Sequence, residues 1–138
     1  MSSSNGNQGA ALALIGRILL AITFIMSGLG KLGAPGATQG YIAAMGMPAP
    51  LLAYIGAVAI EVGGGALLLV GYRTKLVAIA LAIFCVITAL VFHHALGDQN
   101  QMIHFFKNLA MAGGLLQVAA FGSGSIGLDS RLSARAAS

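Results

Sequence analysis

The sequence has few charged residues, which make up 7% of its 138 positions, whereas soluble domains carry about 25%. It contains no tryptophan, and its single cysteine, Cys85, excludes an internal disulfide and a cysteine-based zinc site. The seven lysine and arginine residues form no basic run, so the formal charge of +4 does not indicate a nucleic-acid partner. Hydrophobic residues make up 58% of the chain, more than a soluble fold of this length buries. The lipid bilayer is therefore the predicted partner of most of the molecule.

Four apolar segments are long enough to cross a bilayer, which takes about 20 helical residues. They lie at about 10–33, 51–71, 76–96 and 102–121. Between the first two, Thr38 is expected to cap a short interfacial helix that ends at Met45 and Gly46. The sequence thus predicts an all-α membrane protein, a four-transmembrane-helix bundle over residues 10–122. A disordered N-terminus over residues 1–9 and a cytoplasmic tail over 123–138, disordered from Arg131, complete the predicted organisation.

Basic residues are distributed unequally between the two ends of the predicted bundle. One end, which also holds both termini, has Arg17, Arg73, Lys75, Arg131 and Arg135, and the other has Lys31 and Lys107. Lysine and arginine accumulate on the cytoplasmic side of membrane proteins. This imbalance predicts cytoplasmic N- and C-termini, with a bacterial inner membrane as the expected location.

Several short motifs follow one another in a fixed order along most of the chain. They are Gly16-Arg17, Ser27-Gly28-Leu29-Gly30-Lys31-Leu32, Gly46-Met47-Pro48-Ala49-Pro50, Glu61-Val62-Gly63-Gly64, Lys107-Asn108-Leu109, Gly113-Gly114 and Ser125-Ile126-Gly127-Leu128-Asp129. With this ordered set the chain resembles the DoxX family of small four-helix bacterial membrane proteins. The resemblance implies the fold and a link to membrane redox systems, including quinone-reducing sulfur oxidation and oxidative-stress complexes. It transfers no set of catalytic residues.

Glu61 lies in the middle of a predicted span, where an ionisable side chain needs a partner or loses its charge. Counted from the cytoplasmic ends of their helices, Glu61 is about 15 Å deep and Arg17 about 10 Å deep. Lys31 is about 16 Å away in depth by the same count. We therefore predict an intramembrane Arg17–Glu61 pair. It serves either as a structural clamp between helices or in proton or quinone chemistry.

A second group of polar residues is predicted near the outer surface, where three helix ends meet. Its members are Lys31, His93, His94, His104, Lys107 and Asn108. Such a cationic group is suited to an anionic substrate, a lipid phosphate or a quinone carbonyl. The alternative is a set of ordinary interfacial residues that face water and headgroups. No metal site is predicted, because the histidines are not accompanied by a pattern of carboxylate residues that would complete a set of metal ligands.

Two main functions remain open. The first is a membrane subunit of a redox or oxidative-stress system, an oxidoreductase subunit if it is an enzyme at all. The sequence has no haem-attachment motif, iron–sulfur cysteines or dinucleotide fingerprint, so such chemistry would need quinone or a partner redox protein. The second is a non-catalytic scaffold that forms homo-oligomers or assembles partners through glycine-rich faces, with Gly28, Gly64 and Gly114 as packing residues. A small transporter component is a third alternative.

Overall fold

The chain folds into helices joined by short connections. A computed structural model describes the backbone of residues 2–138 and the side chains of residues 4–138. The helices are α1 (Ser2–Gly33), α2 (Pro35–Ala44), α3 (Pro50–Val58), α4 (Gly64–Val70), α5 (Thr74–Phe92), α6 (Gln99–Phe121) and α7 (Leu128–Ala136). A π-helical turn, Ala59–Gly63, joins α3 and α4 into one continuous rod. Residues 2–138 contain no strand, which confirms the all-α prediction.

Three helices in the described part of the chain are long and apolar enough to cross a membrane. They are Ser4–Gly33, Pro50–Val70 and Thr74–Phe92, which agree with the predicted spans at 10–33, 51–71 and 76–96. Helix α6 covers the predicted span at 102–121 and has 23 residues, so its length is sufficient. Its first half carries His104, Lys107 and Asn108, and it is less apolar than the other three.

Turn chemistry sets the ends of these helices. Proline occupies the first turn of both α2 and α3, where its missing N–H removes no helical hydrogen bond. The rod α3–α4 ends at Gly71, whose φ of 72° favours glycine. Asp98 is the N-cap of α6, and its side chain accepts a hydrogen bond from the backbone N–H of Gln101 at 2.9 Å. The connections between these helices are therefore tight.

The core lies where α1 packs along the α3–α4 rod and α5 packs along α6. Its buried members are mostly alanine and leucine with one aromatic ring, and they include Ala21, Phe24, Leu68, Ala78, Leu81, Cys85 and Leu115. The large apolar residues on the opposite faces, such as Leu19, Leu52 and Ile83, are exposed. An apolar exterior of this kind is expected where lipid surrounds the helices.

The three predicted packing glycines differ in how closely they are approached. A Cβ atom added at Gly28 would lie 2.5 Å from Cγ2 of Val62, and one added at Gly64 would lie 3.2 Å from Cδ2 of Leu81. One added at Gly114 would lie 3.8 Å from the side chain of Leu20, an ordinary contact distance. Only the first two glycines therefore permit a close helix approach.

The ends of the chain differ from the prediction. Helix α1 begins at Ser2, whereas residues 1–9 were predicted to be disordered; residue 1 lies outside the described residues. The tail predicted to be disordered from Arg131 forms helix α7. The helix expected after Thr38 is present as α2, but it begins at Pro35, and the Thr38 hydroxyl donates to the Ala34 carbonyl at 2.8 Å. Proline rather than threonine therefore starts α2.

Candidate functional site

The most polar buried group of the core is an ion pair between α1 and the π-helical turn. Glu61 is 4% exposed. Lys31 Nζ lies 2.8 Å from its Oε2 and donates to its Oε1 at 3.0 Å. Ser27, one helical turn before Lys31, donates to Oε1 at 2.9 Å and accepts from Lys31 Nζ at the same distance. The carboxylate is therefore held by a closed triad, with charge-assisted bonds of the stronger class.

The predicted Arg17–Glu61 pair is wrong, and the register of the helices gives the reason. The Cβ position of Gly28 lies 3.2 Å from the Cβ atom of Glu61, so these two residues are level. Arg17 is level with Gly71 instead, against which its guanidinium packs. Eleven residues of α1, about 16 Å, separate the two levels. The depth count failed because α1 extends beyond the end of α4, so the two helix ends are not in one plane.

Arg17 belongs to a different layer, in which the chain end is fixed to the start of α5. Its Nη2 donates to the Ile126 carbonyl. Asp129 accepts hydrogen bonds from the backbone N–H groups of Arg73 and Thr74, each at 2.8 Å. Burial alone would raise the pKa of Asp129, but these N–H groups and the charge of Arg17 hold it below its ordinary value. Sequence reasoning missed this role of Asp129, although its motif was noted.

The predicted outer cluster comes together in part, and Glu61 joins it. Lys31, His93, Lys107 and Asn108 line one cavity of about 190 Å³ with Glu61. His104 stacks on His93 with ring centroids 5.0 Å apart, and its Nδ1 lies 3.1 Å from Lys107 Nζ. His94 is the exception, because it is exposed and its Nδ1 lies 3.1 Å from the Val91 carbonyl oxygen. The two predicted polar layers are therefore one site, without Arg17.

A second cavity, also of about 190 Å³, adjoins the ion pair between α2, α3 and α5. It shares five residues with the first cavity: Lys31, Glu61, Phe84, Thr88 and His93. The rest of its lining is largely apolar and aromatic and includes Tyr41, Ile42, Met47, Ile87 and Phe92. The Tyr41 and Phe92 rings lie 5.5 Å apart, and the Tyr41 hydroxyl donates to the Phe92 carbonyl at 3.3 Å. Sequence reasoning missed this aromatic wall and Ser27, whose spacing of four residues before Lys31 was the available signal.

His93 is the titratable side chain that faces both cavities beside the ion pair. Its Nδ1 lies 3.0 Å from the Gln101 side-chain oxygen, so Nδ1 carries the proton in the neutral ring. Nε2 then remains as an acceptor. Among the side chains of residues 4–138, no three His, Cys, Asp or Glu residues gather closely enough to hold a metal ion. The site thus combines a largely apolar enclosure with the titratable side chains of Lys31, Glu61 and His93.

Known proteins resemble this chain over most of its length. The DoxX family model matches residues 12–94. The chain is 37% identical to "Inner membrane protein YqjF" of Escherichia coli (strain K12), over 84% of this chain and 88% of that protein. It is 38% identical to "Inner membrane protein YphA" of the same organism, over 91% of this chain and 94% of that protein. No solved structure matches. Lys31, Glu61 and His93 all lie within the family match, and the chain belongs to the DoxX family.

Proposed function

We propose that this protein crosses the bacterial inner membrane four times and binds the head group of a quinone beside its Lys31–Glu61 pair. In this proposal it acts as the membrane subunit of a redox or oxidative-stress system. The names of its two relatives support the inner-membrane location. The observation that carries the ligand proposal is a buried ion pair that opens onto an apolar, aromatic cavity.

Helix α6 is the fourth crossing in this proposal. Its 23 residues span about 35 Å, more than the ~30 Å hydrocarbon core. It packs along α5, and its polar residues Lys107 and Asn108 line the cavity beside the ion pair. The end with five basic residues then faces the cytoplasm, as the positive-inside rule requires. Helix α2 lies in the interface on the opposite side.

The chemistry of a quinone matches the two halves of the site. Its ring needs an apolar slot, which Phe84 and Phe92 provide, and its oxygens need groups that give or take protons. Nε2 of His93 has no hydrogen-bond partner among the side chains of residues 4–138. The neutral ring accepts a proton from a quinol hydroxyl, and the protonated ring donates to a quinone carbonyl. Lys31 and Ser27 hold the Glu61 side chain at the edge of the same cavity.

Reduction of a quinone to a quinol takes up two electrons and two protons. In the proposed system, His93 and Glu61 deliver the protons from the outer side of the site. The electrons come from a partner redox protein, because the sequence carries no haem-attachment motif, iron–sulfur cysteines or dinucleotide fingerprint. The protein therefore supplies binding, orientation and proton exchange, and the quinone supplies the redox chemistry.

The test is quinone binding to the purified full-length protein in native-like lipid, with Glu61→Gln compared with Asp98→Asn. Both variants convert a carboxylate to an amide, but Asp98 caps α6 outside the cavity. We expect quinone to co-purify with the wild type and with Asp98→Asn, and the apparent affinity of Glu61→Gln to fall about tenfold. Equal binding by all three proteins contradicts the proposed site.

The alternative is a non-catalytic scaffold that assembles partner proteins. Glycines on the outer face of the α3–α4 rod favour it, because Gly56 and Gly63 have open space where a Cβ atom would stand. A partner helix can approach such positions closely. Analysis of the same purified sample for bound quinone and for bound protein partners distinguishes the two functions. A protein partner that is lost in Gly56→Leu, with no bound quinone, would support the scaffold.

A further inference from the structure

A larger cavity, of about 400 Å³, lies at the other end of the molecule between α1, α4 and the start of α7. Two arginines, Arg17 and Arg131, line it together with the apolar side chains of Leu14, Leu69 and Val70. Fourteen residues of α1, about 21 Å, separate Arg17 from Lys31. The cavity is therefore distinct from the proposed quinone site.

Arg17 has donors in this region that nothing in the described residues satisfies. Its side chain is 2% exposed, and Nη2 donates to the Ile126 carbonyl. Nε and Nη1 have no hydrogen-bond partner. Asp129 lies close enough to interact electrostatically, but both its oxygens already accept from backbone N–H groups of Arg73 and Thr74. A buried guanidinium with free donors calls for an acceptor, since unsatisfied buried donors are costly.

The surroundings indicate what kind of acceptor fits. Leu69 and Val70 are exposed on the outer face of α4, so the cavity is continuous with an apolar surface. In α7, the exposed Leu128 and Leu132 are four residues apart, and so are Arg131 and Arg135. A short helix with adjacent apolar and basic stripes is typical of the membrane interface. The occupant therefore needs an anionic head and an apolar tail.

We propose that this cavity binds the phosphodiester head group of an anionic phospholipid. Arg17 and Arg131 contact the phosphate oxygens, for which guanidinium groups are well suited geometrically. The acyl chains lie against Leu69 and Val70. Basic pockets between membrane helices are known to take such head groups on the cytoplasmic side, where anionic lipids are attracted. The proposal rests on insertion in a membrane and is independent of quinone binding.

The test is native mass spectrometry of the full-length protein in mild detergent, titrated with phosphatidylglycerol or with phosphatidylcholine of the same acyl chains. We expect wild type to retain phosphatidylglycerol preferentially. Arg131→Gln should weaken its apparent affinity about tenfold, the scale of one charge-assisted hydrogen bond. Arg135→Gln is the matched control, because it removes the same charge from the same helix outside the cavity, and it should change the affinity less than about twofold.

Three outcomes overturn the proposal. Equal retention of the two lipids shows that no anion-selective site exists. Equal losses in Arg131→Gln and Arg135→Gln show general attraction to a basic tail. Displacement of the lipid by an equal concentration of inorganic phosphate shows a free-anion site. Arg17→Lys, which keeps the charge but loses the planar fork, should bind less tightly than wild type while retaining the wild-type thermal stability of the lipid-free protein within a few degrees.

Discussion

Removal of Lys31 tests the ion pair at the centre of the site. Glu61 is 4% exposed, and in Lys31→Met it would keep only the Ser27 hydroxyl as a partner. Loss of one partner of a buried pair costs about 3–5 kcal/mol. We expect the lower end, about 3 kcal/mol, because the Lys31 side chain is 28% exposed and Ser27 remains. In a Glu61→Gln background the same substitution removes only packing and should cost about 1 kcal/mol. The coupling energy is therefore about 2 kcal/mol.

The assay is reversible unfolding in mixed micelles, with the free energy of unfolding measured for the wild type, both single variants and the double variant. Lys107→Met is the matched control, since Lys107 lines the same cavity but makes no contact with Glu61. A second cycle combines Arg17→Met with Glu61→Gln and should give a coupling energy near zero. A coupling energy below about 0.5 kcal/mol for Lys31 and Glu61, or a larger one for Arg17 and Glu61, would show that Lys31 is not the partner of Glu61.

Two further substitutions follow from the packing and the chain end. Gly28→Ala should lower the free energy of unfolding by about 2 kcal/mol, because its Cβ atom would meet Val62 at 2.5 Å, whereas Gly114→Ala should be neutral in the same unfolding assay. Asp129→Ala should lower the free energy of unfolding by about 1 kcal/mol, because it removes the side chain that caps the start of α5. The folded-state pKa of Asp129 is below its ordinary value of 3.8, so its contribution is full above pH 3.8 and is lost as the pH falls through the folded pKa. An Asp129→Ala variant that keeps the wild-type loss of stability in acid, measured by thermal unfolding against pH, would contradict this assignment.

The helices follow from the sequence because each depends on local features. Long apolar runs predict the spans, and Pro50 starts α3 where the run begins. The tight turn at Gly71 also follows from local chemistry. Helix α7 was missed because it is short and has only two large apolar residues, Leu128 and Leu132. It depends on contacts with distant parts of the chain, such as the Asp129 amide, which donates to the Gly71 carbonyl.

The partner of Glu61 depends on the register between two helices, and the sequence of either helix alone does not determine that register. Depth counted along each helix assumes that the helix ends are level, and α1 violates that assumption. The small residue Gly28 fixes the register, because it lets the π-helical turn approach α1 at the level of Glu61. Lys31 then lies one turn away, within reach of the carboxylate. Gly28, about one helical turn before Lys31 on α1, was the signal that could have favoured Lys31 over Arg17.

Labelling with a photoreactive quinone tests the proposed site most directly. The full-length protein in native-like lipid is irradiated with a quinone analogue that carries a photoreactive group on its ring, and the modified residues are mapped by mass spectrometry. We expect labels on Phe84, Phe92 and Tyr41, and their loss when unlabelled quinone is added in excess. Labels confined to lipid-facing residues such as Leu52 and Ile83, or labels that unlabelled quinone does not compete away, would contradict the proposed site.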